Sequence, residues 1–126
     1  MKYIYVITGI QFGYMYGDKK RHKDGTYHSY RIRTSPTQDK RFTIRDQRTW
    51  GWYSTLKGAK EALKLYSGAI LENSCYTSVV IEKFSEGLCT MPREWWYKWE
   101  GTEEEGKYVP GEKPKEFKHI CCFGMG

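Results

Sequence analysis

The sequence has no apolar run approaching the roughly 20 residues that cross a bilayer, so a membrane span is set aside. Its opening apolar stretch, Tyr3 to Thr8, meets Gly9 within a few residues and carries no small-residue cleavage site. That reads as a first strand rather than a secretion signal, and it makes the cytoplasm the expected setting. There is no C-x-x-C pair. The four cysteines, Cys75, Cys89, Cys121 and Cys122, lack zinc-ligand spacing, and adjacent residues of a strand point to opposite faces. Without a signal sequence the expectation is reduced thiols packed in the core. Gly9, Gly13 and Gly17 fall at four-residue spacing but lack the Lys-Ser/Thr ending and the following helix of a phosphate loop. No carboxylate cluster is available for a catalytic metal ion, because Asp18, Asp24, Asp39 and Asp46 are scattered among cations. His22, His28 and His119 sit beside no recognisable nucleophile. These absences leave no cofactor and no metal to expect, and they favour a binding protein over an enzyme.

Aromatic residues and positive charge are plentiful. Aromatics make up 17% of the 126 residues, with 11 Tyr and 5 Trp, which excludes wholesale disorder and supports one domain over residues 1–126. The formal charge is +6, and its distribution is uneven. Between Asp18 and Arg48 ten Lys and Arg face four Asp, an excess of six, while the rest of the chain balances eleven cations with eleven anions. Charge concentrated in one segment raises the local concentration of anionic partners.

Periodicity places the elements. Lys2–Ile10 reads as a central strand with apolar residues on both faces. Tyr27–Arg33 and Arg41–Arg45 read as two strands joined through a turn at Pro36. If they pair, Tyr30 and Ile32 meet Phe42 and Ile44 on one face, and Arg31, Arg33, Arg41 and Arg45 gather as a basic plate on the other. The best helix follows Trp50-Gly-Trp52. Ser54 or Thr55 caps it, the stripe Leu56, Ala59, Ala62, Leu63 and Tyr66 repeats at helical spacing, and Gly68 can stop it. Thr77–Phe84 is a strand, Pro92–Trp99 a short Trp-rich helix with Pro92 in its first turn, Val109–Pro114 extended, and Phe117–Phe123 a last strand. The order gives an α+β fold: a single, mostly antiparallel sheet with one main helix packed on it and a short Trp-rich helix beside it.

The basic plate is the first candidate site. Guanidinium groups hold phosphates bidentately, and bases stack on aromatic rings. Arg31, Arg33, Arg41 and Arg45 are therefore the expected phosphate contacts, with Tyr30 or Trp52 as a stacking platform for a nucleotide, a cyclic oligonucleotide or a short single strand. A solvated strand face with arginines protecting an edge is the competing interpretation. The second candidate is the run Trp95, Trp96, Tyr97 and Trp99. Its usual role is core packing, and its alternative is an anchor that inhibits a host protein by occupying an acidic surface.

The helix run Tyr53-Ser-Thr-Leu-Lys-Gly-Ala-Lys-Glu-Ala-Leu63 and the strand Val79-Val-Ile-Glu-Lys-Phe-Ser-Glu-Gly-Leu88 resemble small uncharacterised proteins of phages and their bacterial hosts. The resemblance implies a compact α+β module without catalytic residues of its own. It would work by binding, as an accessory or anti-defence protein that sequesters a nucleotide signal or occupies a host protein.

Overall fold

The computed structural model describes residues 2–16, 31–33, 41–87 and 91–125. The fold is α+β. Six strands form one sheet: β1 (Tyr3–Tyr16), β2 (Arg31–Arg33), β3 (Arg41–Tyr53), β4 (Ser78–Ser85), β5 (Arg93–Glu100) and β6 (Lys107–Pro110). Two helices, α1 (Leu56–Leu65) and α2 (Ser67–Leu71), lie between β3 and β4 in the chain. Two 3-10 turns, Lys115–Phe117 and Phe123–Met125, close the described chain. By internal contacts the chain divides into a larger unit, Met1–Gln11 with Gln47–Gly126, and a smaller one, Phe12–Asp46.

In the larger unit β1 pairs antiparallel with β4, β4 with β5, and β5 with β6. The register puts Ile7 opposite Ile81 and Ile81 opposite Trp95, and it puts Val6, Glu82 and Glu94 in line on the other face. The first face is covered by α1 and α2. Ile7, Val79 and Ile81 of the sheet bury against Ala59, Ala62, Leu63 and Ile70, with Tyr5, Trp50, Tyr53, Trp95 and Tyr108 around them. Leu56, Ala59, Ala62 and Leu63 of the expected stripe are therefore the face α1 packs on the sheet, whereas Tyr66 is exposed at its end. Its N-terminus is set by Thr55, whose Oγ1 accepts the Gly58 N–H at 3.0 Å. The helix breaks at Tyr66 rather than at Gly68, which lies inside α2. α2 then ends on Glu72 in the left-handed region, which opens a run of three such residues through Ser74.

The opposite face is covered by the C-terminal segment. Phe123 is buried and packs edge-on to Trp96, with ring centroids 5.4 Å apart. Gly124 crosses β1 so closely that a Cβ there would stand 2.7 Å from Val6 Cγ1. Gln47 Nε2 donates to the Phe123 carbonyl at 3.2 Å, tying β3 to the same segment.

In the smaller unit the far part of β1 pairs antiparallel with β2, with Tyr14 opposite Arg33 and Tyr16 opposite Arg31. Phe42 of β3 stacks on Phe12 at 5.5 Å and meets Tyr14 edge-on at 5.1 Å.

Four sequence expectations change. Residues 93–100 are a strand, not a Trp-rich helix: their aromatics pair along β4, and strand pairing outweighs the proline's tendency to open a helix. The expected last strand, Phe117–Phe123, is replaced by the two 3-10 turns, which let the segment fold back across the sheet. The described partner of β2 is β1, and that of β3 is also β1, so the expected pairing of the two arginine strands is not the pairing observed. Cys122 is disulfide-bonded, whereas Cys75 and Cys121 carry free thiols that are half-exposed rather than packed in the core.

Candidate functional site

Of the residues expected in the basic plate, Tyr30 and the side chains of Arg31, Arg33 and Arg41 lie outside the described residues. Arg45 is exposed on β3 in the smaller unit. Trp52, in the larger unit, is 63% exposed.

The part of β3 in the larger unit builds a site of its own. Alternation along the strand puts Arg48 and Trp50 on one side, and Tyr53 joins Trp50 against the core while Trp52 stands exposed. Trp50 is half-buried, because the absent side chain of Gly9 leaves room for it: a Cβ at Gly9 would lie 3.1 Å from Trp50 Nε1 and 3.0 Å from the Tyr76 side chain. The indole meets Tyr76 edge-on, with centroids 6.2 Å apart. Across the exposed part of this ring lies Arg48, whose guanidinium carbon is 4.2 Å from the ring centroid. Arg48 Nη1 also sits 3.4 Å from Glu72 Oε1, and both side chains are about half exposed. Such a pair contributes at most about 1 kcal/mol, so an incoming anion can displace Glu72.

Trp50 also forms one wall of a cavity of about 200 Å³ between β3 and the α1–α2 junction. Ile7 and Ile70 are its buried floor, Tyr53 continues the wall, and Tyr66 and Ala69 stand exposed at its mouth. The side chains lining it carry no formal charge. Trp52 was legible in the sequence as a candidate, whereas Arg48 and the cavity were not. The two-residue spacing Arg48-x-Trp50 was the available signal for the first. The second depends on where α1 breaks, which sequence periodicity does not reveal.

The aromatic run of β5 is divided between two faces. Trp95 is half-buried, 6.0 Å from Tyr5, with the Arg93 guanidinium 5.2 Å from its ring centroid. Trp96 is buried against Phe123. Trp99 stands edge-on to Tyr108 at 5.0 Å and donates its indole N–H to the Thr102 carbonyl at 3.1 Å.

A polar cluster lies under the C-terminal segment. Glu82 is fully buried, and its two carboxylate oxygens accept the backbone N–H groups of Phe123 at 3.1 Å and Gly124 at 2.9 Å. Burial pushes its carboxyl above the usual carboxylate range, the neighbouring Glu94 charge adds to that, and the two N–H donors oppose it. Glu94 is held by Lys113 Nζ at 3.0 and 3.2 Å, and the same ammonium donates to the Ile120 carbonyl. Nearby on the helix face, the Tyr108 hydroxyl donates to the Tyr76 carbonyl at 2.6 Å, and burial drives its pKa upward. These groups are engaged with one another and with backbone, an arrangement that fixes chain segments in place. Among the described residues no group of three or more His, Cys, Asp or Glu side chains is placed to hold a metal ion. His22 and His28 lie outside the described residues, and His119 is exposed on the C-terminal segment.

No protein-family model, no curated protein and no solved structure matches this chain. Among the described residues, no helix is long and apolar enough to cross a membrane.

Proposed function

We propose that this is a non-enzymatic binding protein for a phosphate-bearing ligand, a nucleotide or a short single strand of nucleic acid, held at the aromatic part of β3. The observation that carries the reading is Arg48 laid over Trp50 at 4.2 Å, with Trp52 63% exposed two residues further on. A guanidinium lying over an indole keeps its N–H edge directed away from the ring, where phosphate oxygens can replace the Glu72 carboxylate, and an exposed indole offers a face on which a base can stack. The arginines at 31, 33, 41 and 45 precede this stretch in the chain and supply charge that draws anions to the molecule. A phage-type accessory role is the setting that the sequence resemblance implies.

The alternative, an inhibitor that seizes an acidic host surface through Trp95, Trp96 and Trp99, has less to draw on. Trp96 is buried, and Trp95 and Trp99 are half-buried against Tyr5 and Tyr108.

Calorimetric titration of AMP and of a fluorescent oligothymidylate into the native protein and the Arg48→Glu/Trp52→Ala double variant tests the reading. Both side chains are exposed, so the variant should keep its melting temperature and lose affinity by about tenfold or more. Unchanged affinity in a folded variant would remove the site.

A further inference from the structure

We propose that the cavity between β3 and the α1–α2 junction receives the flat ring of the ligand while Arg48 takes its anionic group; this rests on the anion-binding reading above and moves the ring from the exposed face of Trp52 to the wall formed by Trp50. Protein interiors are close-packed and rarely keep voids larger than a water molecule. The space of about 200 Å³ is instead a recess, open at its mouth and reaching down to side chains as buried as Ile7 and Ile70. Its size points to the occupant: an apolar cavity of about 150 Å³ takes benzene, so this one holds a ring system and not a whole nucleotide.

The lining agrees with a flat, uncharged group. Trp50, Tyr53 and Tyr66 offer aromatic surface, Ile7 and Ile70 close the floor, and no charged side chain intrudes. Entry is open, because Tyr66 and Ala69 are exposed. The charge fits the same occupant. Arg48 stacks on the indole that forms one wall, so a ligand whose ring rests against Trp50 brings a phosphate within reach of the guanidinium. A bare ring would leave Arg48 unused, and a bare phosphate would leave the cavity empty.

The test uses the four nucleoside 5′-monophosphates and ribose 5-phosphate as probes, titrated calorimetrically into the native protein, Ala62→Leu and Ala69→Leu. Both substitutions add bulk at residues that line the cavity, Ala69 at its exposed mouth and Ala62 on its buried wall, and leucine suits both helical positions. Each variant's melting temperature is measured alongside, and if one fails to fold the other decides. At least one nucleotide is expected to bind the native protein about tenfold or more tightly than ribose 5-phosphate, and to lose that advantage in the folded variants. If ribose 5-phosphate binds as well as every nucleotide, or if the folded variants bind nucleotides undiminished, the ring site is overturned and the anion reading stands. If none of the five probes binds, both fall.

Discussion

Glu82 shows how one residue can fasten two parts of this chain. Its carboxylate sits in the sheet without solvent contact and is spanned by two consecutive backbone N–H groups of the C-terminal segment. Desolvation is the largest influence on it and raises its pKa, so the native protein binds that proton more readily than the unfolded chain does. Stability from this group is therefore fully present below the ordinary carboxyl range and is lost as pH rises through the raised native value. Glutamine at this position cannot titrate. The stability difference between the native protein and Glu82→Gln, read from urea midpoints between about pH 4 and pH 8, should shift against the native protein as pH rises. A difference independent of pH would show that the backbone N–H donors of Cys122, Phe123 and Gly124 cancel the burial.

At the scale of elements, α1 and β5 make the contrast. α1 was legible because its determinants are local: the Thr55 cap, and a stripe of Leu56, Ala59, Ala62 and Leu63 that needs only one apolar surface to meet. Removing the Thr55 hydroxyl in Thr55→Ala should cost about 1 kcal/mol, measurable by urea unfolding, with no change in ligand affinity. β5 was misread because Trp95, Trp96, Tyr97 and Trp99 fit a helix or a strand about equally well by spacing. Pairing with β4 decided it, and that contact is made by residues distant in the chain. The C-terminal segment was misread for a related reason. Phe117–Phe123 is apolar enough for a strand, but Glu82 and Trp96 hold its end as a 3-10 turn against the sheet face. β1 was legible as a strand with apolar residues on both faces, while its extension to Tyr16 was not, because Gly9 reads as a terminator and serves instead as a gap for Trp50 and Tyr76. The candidate site divides in the same way. Trp52 was visible as an exposed aromatic, whereas the cavity exists only once Tyr66 breaks the helix beside β3.

For the molecule as a whole, the relevant quantity is a net charge of +6 whose entire excess lies between Asp18 and Arg48. Binding of a polyanion releases condensed counterions from it, so the logarithm of the affinity should fall linearly with the logarithm of salt concentration. For an oligothymidylate the slope should be steep, and for AMP it should be shallow, since a mononucleotide has little counterion atmosphere to release. Equal slopes for the two probes would mean that the basic segment takes no part in holding the longer ligand.

The five tryptophans sit at graded depths: Trp96 buried, Trp50, Trp95 and Trp99 half-buried, and Trp52 well into solvent. Intrinsic fluorescence from this protein is thus a sum of unequal emitters, with Trp52 contributing the red-shifted, collisionally quenchable share. A ligand arriving at β3 would shield that share from iodide or acrylamide while leaving the Trp96 emission untouched, which gives the protein an optical gauge of occupancy with no label attached.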